Sequence, residues 1–180
     1  MSRGIRIMLD SMPVERFAIT TDRLDPVPLT AAVVAAHGAA VAGTGDAGAG
    51  AVATFAGLVR DQNGGRRVTR LDYEAYGPLA LRSFAQIETE AAALWPSTVL
   101  GLHHRTGTVA IGEASIVIVT VSAHRGAAFA ACRYAIERVK QIAPIWKHEY
   151  FEGGDVWIEG AVAAADDAAA RARAERLACA

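Results

Sequence analysis

The order of apolar and polar residues predicts several short β-strands along the chain. Within residues 68–76, apolar and charged side chains alternate from Leu71 to Ala75, which indicates a strand with one buried and one exposed face. Residues 115–121 are instead mostly apolar and rich in β-branched side chains, a composition typical of a central strand. Further strands are predicted over residues 17–20, 51–59, 99–104, 108–111 and 156–162.

Other segments repeat apolar residues at steps of three and four, the spacing of one face of an α-helix. Pro78 and Pro96 bound the first of these helices, and the second covers residues 127–142. The predicted core positions are Ala80, Phe84, Ile87, Ala91 and Leu94 in the first helix, and Phe129, Cys132, Ile136 and Val139 in the second. Composition also favours helices over residues 29–41 and 163–178.

Strands and helices alternate, but short turns join several neighbouring strands. This arrangement favours an α+β fold, in which a mixed or antiparallel sheet has flanking helices, over a doubly wound parallel sheet. We divide the chain into an N-terminal extension (1–16), one domain (17–162) and a C-terminal alanine-rich helix or tail (163–180). The polar, glycine-bearing residues 60–67 are expected to form an exposed, mobile loop.

Composition narrows the classes of function. The chain has 180 residues and is 52% apolar, enough for a core that needs neither disulfides nor a metal. A formal net charge of -1 argues against a general binder of nucleic acids or membrane surfaces. The two cysteines have neither metal-ligand nor disulfide-framework spacing, which favours a reducing cytoplasm. No apolar run is long enough to span a bilayer, and the N-terminus lacks the apolar region of a signal peptide.

Two lysines are the first candidates for chemistry. Lys140 and Lys147 flank the apolar residues 144–146, and an amine beside apolar surface can act as a nucleophile, an acid or an anion clamp. The same region also fits a solvated helix end on which Arg133 and Glu137 form weak ion pairs. Spacing alone leaves both interpretations open.

A second candidate site joins the central strand to the helix over residues 127–142. Free N–H groups and the helix dipole favour anions at such a junction, where His124 adds a proton carrier and Arg125 a fork of donors. A simple capping turn with an exposed arginine fits equally well. Arg60, at the end of a buried strand, either reaches into a pocket or only bounds that strand.

The remaining histidines and cysteines give no catalytic or metal-binding pattern. His103 and His104 are adjacent in a predicted strand, so their side chains point to opposite faces and joint metal binding is not expected. Cys132 lies on a predicted core stripe and is expected to be buried and unreactive. We therefore predict no metal and no bound cofactor.

Together, these segments resemble the large, catalytic subunit of molybdopterin synthase. The resemblance covers roughly residues 15–160 in the order expected of a single domain, and the complete ordered set of motifs is highly specific where one motif would be weak. The matching segments are 50–60, 71–76, 104–107, 112–114, 122–125, 133–136 and 140–149, followed by Gly153, Gly154 and Trp157.

The resemblance implies an α+β fold of the α/β-hammerhead type and a homodimer within a heterotetramer, in which each copy binds one small ubiquitin-like sulfur-carrier subunit. The carrier's C-terminal thiocarboxylate would enter a pocket of this chain and pass sulfur to cyclic pyranopterin monophosphate. Two transfers would build the dithiolene of molybdopterin. Both ligands are anions, which suits a site of Lys, Arg and His. Because the carrier supplies the sulfur, no reactive cysteine is needed here.

The resemblance also implies residue roles. Lys140 and Lys147 would be catalytic, with Lys140 nearest the thiocarboxylate and Lys147 holding substrate charge and assisting proton movement. His124 and Arg125 would bind the pterin phosphate. The substrate-binding positions implied in full are Phe55, Leu58, Val59, Arg60, His124, Arg125, His148 and Glu149.

Some positions depart from the family pattern. Leu58 stands where some relatives carry a basic residue, and His148 follows Lys147 where Lys or Arg is common. No arginine follows the strand of Trp157 around Ala161, which puts a basic contribution from a second subunit in doubt.

Two other functions are compatible with the residues. A non-catalytic receptor for a ubiquitin-like tail predicts carrier binding without sulfur transfer. An enzyme that forms a lysine Schiff base with a phosphorylated carbonyl compound predicts trapping by borohydride and no sulfur requirement.

Overall fold

The computed structural model describes residues 14–158, 160–161 and 163–179. The strands in this part of the chain are β1 (Phe17–Thr20), β2 (Ala51–Leu58), β3 (Gln62–Asn63), β4 (Arg66–Ala75), β5 (Val99–Arg105), β6 (Gly107–Ala110), β7 (Ala114–Ser122), β8 (Ile145–Phe151) and β9 (Gly154–Ile158). The helices are α1 (Pro26–Val41), α2 (Gly77–Leu94), α3 (Arg125–Ile142) and α4 (Ala168–Ala178). None of these helices combines the length and apolar character needed to cross a bilayer.

The strands form two sheets. The central sheet has the order β1-β5-β7-β2, and its only parallel pair is β1 with β5. The second sheet has the order β3-β4-β8-β9, with β6 also paired to β4, and it is antiparallel throughout. The predicted α+β class with mixed pairing is confirmed.

Strand β7 is buried on both faces, as its composition predicts. Ile116 and Ile118 join the large core beneath α2 and α3. Val117 and Val119 point the other way and pack beneath α1. Helices therefore cover both faces of the central sheet, which explains why β7 reads as a continuous apolar run.

The predicted core stripe of α2 is confirmed, whereas that of α3 is wrong at one position. Ala80, Phe84, Ile87 and Ala91 are all buried in the main core. Phe129, however, is 64% exposed. The face of α3 that meets the sheet carries mostly small residues around Ala128, Ala131 and Ala135, which allow close approach, and Phe129 lies beside that face. In α2, the last predicted core residue, Leu94, is partly buried and packs against the main core.

Other predicted boundaries also change. The expected loop over residues 60–67 contains the short hairpin β3–β4, turned at Gly64 and Gly65, both of which have positive φ. Residues 145–151, for which no strand was predicted, form β8. The strand predicted over 156–162 corresponds to β9, which ends at Ile158, and Val162 lies outside the described residues.

A buried ion pair joins α2, α3 and the segment before α4. The guanidinium of fully buried Arg138 donates to both carboxylate oxygens of Glu90, at 2.8 and 2.9 Å. It also donates to the side chain of Gln141 at 2.9 Å and the carbonyl of Ala165 at 3.1 Å. Tyr134 donates a further hydrogen bond to Glu90 at 2.8 Å. This cluster fixes the chain that follows β9 against the C-terminal half of α3.

The pKa of Glu90 depends on both its burial and these hydrogen bonds. Burial acts to raise the pKa, but the hydrogen bonds from Arg138, Gln86 and Tyr134 outweigh it and hold the pKa below its ordinary value. The ionised Glu90 carboxylate therefore stabilises the folded protein fully above the pKa of the unfolded carboxyl, about 4.3. This stabilisation is lost as the pH falls below that value towards the lower pKa of the folded protein.

We predict that Arg138→Met lowers the free energy of unfolding by about 3 to 5 kcal/mol, because it leaves the Glu90 carboxylate buried without its partner. Chemical denaturation near neutral pH measures this loss. The double variant Arg138→Met/Glu90→Leu removes both charges and is expected to recover much of it.

The matched control is Arg133→Met on the same helix. Arg133 is exposed and pairs with Glu137 at 3.4 Å, so its loss is expected to cost about 0.5 kcal/mol or less. Equal destabilisation by the two methionine variants would contradict a specific role for the buried pair.

Candidate active site

The two candidate lysines come from different elements that meet at one turn. Lys140 lies exposed in the last turn of α3, which ends at Ile142, and Lys147 lies half-buried in β8. Pro144 intervenes, and since it has no N–H group it cannot continue the helix. The interpretation of this region as a solvated helix end therefore fits Lys140 alone and does not describe Lys147.

Both lysines line one cavity of about 520 Å³ between α3 and the two sheets, here called the lysine cavity. Its walls are mainly apolar. The lining residues are Phe55, Gly57, Leu58, Tyr73, His104, Ser115, Ile116, Ile136, Val139, Lys140, Ala143, Ile145, Lys147, Ile158 and Gly160.

The described side chains that line the lysine cavity carry a positive charge. Lys140 and Lys147 are the only two lysines in the sequence, although it also contains sixteen arginines. No carboxylate of the described residues is among the lining side chains. Both primary amines of the chain's lysines are thus concentrated where they can act on one bound anion.

Backbone packing closes the cavity at Gly160. A Cβ atom at this position would lie 2.4 Å from the carbonyl oxygen of Ile145, so only glycine permits this approach to the start of β8. The contact holds the chain after β9 against the turn that separates the two lysines.

Four predicted residues in and after β2 divide into two groups. Phe55 and Leu58 line the lysine cavity, as the resemblance implies for substrate-binding positions. Val59 is instead 3% exposed in a separate core cluster, and its N–H donates to the carbonyl of Glu113 at 3.0 Å. Arg60 is exposed and is not among the lining residues. Within one chain the structure does not bring Val59 and Arg60 to the lysines.

The predicted anion site at the start of α3 is also separate. His124 and Arg125 are exposed and line their own depression together with Gly50, Ala123 and Gly126. His124 is the N-cap residue of α3 but makes no side-chain capping hydrogen bond. Neither residue lines the lysine cavity of the same chain.

The last two predicted positions lie next to Lys147 but have different surroundings. His148 points to the opposite face of β8, where its ring stacks on Trp157 at 4.4 Å and its Nε2 is 2.5 Å from the Asp155 carboxylate. Glu149 is 2% exposed and accepts a hydrogen bond from Asn63 at 2.8 Å. Neither side chain lines the lysine cavity, although both directly follow Lys147 in the sequence.

Sequence reasoning missed three polar residues of the lysine cavity: Tyr73, His104 and Ser115. The prediction that His103 and His104 face opposite ways is confirmed, since His104 is buried and His103 lies at the surface of the same strand. Burial lowers the pKa of His104 to about 4, despite its backbone hydrogen bond to Arg105, so the ring is neutral near pH 7. Two signals pointed to His104: it is a polar residue on the inward face of a predicted strand, and it lies in a segment that matches the family, although the resemblance gave it no role.

The chain is similar to known proteins in sequence and in structure. The family model described as MoaE protein matches residues 24–142. The chain belongs to the MoaE protein family. A molybdopterin synthase catalytic subunit of Bacillus subtilis is 50% identical over 110 residues, which cover 61% of this MoaE-family chain and 70% of the relative. One from Oryza sativa subsp. indica is 49% identical over 114 residues, covering 63% of this chain and 59% of the relative.

Solved structures agree with this assignment to the MoaE family. Molybdopterin synthase from Staphylococcus aureus superposes with a TM-score of 0.71 and 34% identity, covering 81% of this chain and 98% of that one. A complex of subunits 1 and 2 of the molybdopterin-converting factor from Helicobacter pylori gives a TM-score of 0.58 and 25% identity, covering 79% and 90% of the two chains.

The predicted burial of Cys132 is confirmed, and its surroundings make it a poor nucleophile. Burial raises the pKa of the Cys132 thiol to about 11, although hydrogen bonds involving Thr120 and the Phe55 backbone act in the opposite direction. Cys179, near the end of α4, is exposed. The thiolate required for reactivity is therefore scarce at Cys132.

We predict that a thiol-directed reagent at about pH 7.5 modifies Cys179 at least about 100-fold faster than Cys132 in the folded protein. Mass spectrometry of timed samples measures the two rates, and a sample unfolded in urea, where both thiols should react alike, is the control. Equal rates in the folded protein would contradict the protected state of Cys132.

Proposed function

We propose that this chain transfers sulfur from the C-terminal thiocarboxylate of a small ubiquitin-like carrier subunit to cyclic pyranopterin monophosphate. As a member of the MoaE family with molybdopterin synthase relatives, the chain is a catalytic subunit of molybdenum cofactor biosynthesis, a sulfurtransferase. The observation that carries the proposal is that both lysines of the sequence line one largely apolar cavity.

The lysine cavity suits the two ligands. Its volume of about 520 Å³ lies within the range of roughly 300 to 1,000 Å³ that small-molecule sites occupy. Apolar walls weaken screening by water, so the ammonium groups attract a phosphate or thiocarboxylate more strongly than they would at an open surface.

We assign the two lysines different parts of the transfer. The thiocarboxylate sulfur attacks an electrophilic carbon of the substrate and displaces an oxygen substituent from it, which takes up a proton as it leaves, so that a thioester links carrier and substrate. Water then attacks the thioester carbonyl, the acyl carbon–sulfur bond breaks, the carrier leaves with an ordinary carboxylate, and the sulfur stays on the substrate as a thiolate. Lys140, at the end of α3, lies nearest the thiocarboxylate and balances its charge. Lys147 holds substrate charge and assists proton movement. A second round supplies the second sulfur of the dithiolene.

The remaining predicted positions extend the site. Phe55 and Leu58 contact substrate from β2, as their place in the cavity wall supports. His124 and Arg125 bind the pterin phosphate, a role supported by their position at the N-terminus of an 18-residue helix. Because one chain keeps this depression apart from the lysine cavity, the role requires a second copy of the chain to bring the two together.

The proposed enzyme contains two kinds of subunit. We place one carrier on each copy of a homodimer, giving a heterotetramer, and the subunit 1 and 2 complex from Helicobacter pylori supports a two-component enzyme. Val59, Arg60, His148 and Glu149 remain proposed positions for substrate or carrier contact around this assembly. The free cysteines support a cytoplasmic location.

The decisive experiment mixes the protein with thiocarboxylated carrier and cyclic pyranopterin monophosphate and assays molybdopterin. Lys140→Ala is expected to slow sulfur transfer at least about 100-fold, because it removes the charge beside the reacting sulfur. Arg173→Ala, which removes an exposed cation of α4, is the matched control and should leave the rate unchanged. Full activity of Lys140→Ala would refute its role, and carrier binding without any sulfur transfer by the wild type would identify a receptor instead.

A variant without thiols tests the origin of the sulfur. Cys132→Ala/Cys179→Ala is expected to retain molybdopterin formation, because the carrier delivers the sulfur atom. Far-ultraviolet circular dichroism controls for folding. Loss of activity in a folded double variant would show that a cysteine of this chain takes part.

A further inference from the structure

We propose that His104 is a substrate-binding residue whose Nε2 atom accepts a hydrogen bond from an N–H group of the neutral pterin ring in the lysine cavity. This inference rests on the proposed function, since it specifies how the same cavity holds its heterocyclic substrate. It concerns a residue to which the resemblance gave no role.

The hydrogen bonding of His104 fixes which ring nitrogen carries the proton. Nδ1 lies 2.8 Å from the carbonyl oxygen of Arg105, and a carbonyl can only accept, so Nδ1 is the donor. The ring is neutral near pH 7 because burial lowers its pKa to about 4. Nε2 consequently carries a lone pair, and no donor among the described residues is hydrogen-bonded to it.

His104 lines a buried part of the lysine cavity. In the central sheet His104 pairs with Ile116 of β7, which in turn pairs with Gly57 of β2, and all three residues line the cavity. A Cβ atom at Gly57 would lie 2.7 Å from the Ile116 side chain, so no side chain fits at position 57 unless Ile116 moves. His104 is only 5% exposed, whereas Lys140 is exposed. Lys140 therefore stands at the mouth, Lys147 is half-buried, and the buried end of the cavity around His104 is here called the floor.

The groups around His104 keep the floor neutral. The Tyr73 ring packs edge-on against His104 with 5.2 Å between centroids. Burial, with a smaller contribution from the charge of Glu149, raises the pKa of Tyr73 against the opposing effect of Ser115, so Tyr73 stays a phenol. The Ser115 hydroxyl donates to the carbonyl of Gly57 at 3.2 Å. A neutral polar floor favours an uncharged ligand over an anion.

The shape of the cavity favours a ring over the carrier tail as the occupant of this floor. Branched apolar side chains from α3, β7, β8 and β9 surround the polar groups, namely Ile116, Ile136, Val139, Ile145 and Ile158. Such walls pack well on the faces of a flat heterocycle, whose edge presents several N–H donors, while a Gly-Gly tail offers no side chain to contact them. The Nε2 atom of His104 has no hydrogen-bond partner among the described residues and keeps some access to solvent, so a ligand donor can reach it and replace water there.

The test compares two variants of His104 by titration calorimetry with cyclic pyranopterin monophosphate, without carrier. His104→Leu removes the acceptor and is expected to raise Kd about five- to thirtyfold. His104→Gln loses the same bond to Arg105 but places an amide oxygen near the position of Nε2, so it should recover most of the affinity. Pterin without a phosphate is the second probe, and His104→Leu should raise its Kd by the same factor.

A binding experiment with the carrier distinguishes the two possible sources of the N–H donor, which are the pterin ring and the carrier tail. Binding of a carrier that ends in Gly-Gly should be unchanged by His104→Leu. If carrier binding weakens while pterin binding does not, the acceptor serves the tail and the inference is overturned. If the wild type makes molybdopterin and His104→Leu binds pterin normally, the inference fails while the proposed function stands. If the wild type neither binds nor converts the pterin, both fail.

A measurement on the wild type avoids any question of misfolding. With ¹⁵N-labelled histidine, the resonance of unprotonated Nε2 in His104, assigned by its absence from His104→Gln, is expected to move upfield when cyclic pyranopterin monophosphate is added. An unchanged resonance in a saturated complex would overturn the inference.

Discussion

The abrupt change from α3 to β8 at Pro144 determines where both lysines lie. The last carbonyls of α3 have partners, since Val139 accepts from the N–H of Ala143 and Ile142 accepts from the hydroxyl of Ser83. The carbonyl of Pro144 then accepts from the N–H of Tyr76, and this bond ties the turn to the start of α2. With the helix end satisfied and the turn anchored, one lysine projects from a helix and the next from a strand towards the same space.

The same turn depends on contacts from the C-terminal part of the chain. Gly160 lets the backbone approach Ile145, and Arg138 binds the carbonyl of Ala165 while it pairs with Glu90. A buried ion pair of this kind contributes more to defining a geometry than to net stability, because desolvation offsets much of its attraction. Packing and one buried charge pair therefore support the position of the two lysines.

Periodicity predicted the elements that are buried on a regular face, such as β7 and the core stripe of α2. It failed at β8 because Lys147 and Glu149 occupy the inward face of that strand, where a regular strand would carry apolar residues. Two charged residues on the inward face thus obscured the pattern that would have revealed the strand. Phe129 was misplaced for a different reason, since the small residues beside it pack more closely on the sheet than a phenylalanine could.

Much of the candidate site likewise depended on information beyond local sequence. Spacing identified Lys140 and Lys147 as candidates, and the family resemblance gave them roles. Only the pairing of β5 with β7 brings His104 into the wall of the same cavity. His124 and Arg125 were correctly placed at a strand-to-helix junction, yet sequence could not show that one chain keeps them in a separate depression.

The most direct measurement is a zero-length cross-link between the carboxylate-form carrier and this protein, mapped by mass spectrometry. Carbodiimide activation of the carrier's terminal carboxylate forms an amide with an adjacent amine, and the two lysines are the only side-chain amines of the chain. An amide to Lys140, lost on substitution Lys140→Arg, is the predicted result. A complex that forms normally but links only to the N-terminal amine, or not at all, would contradict placement of the carrier tail in the lysine cavity.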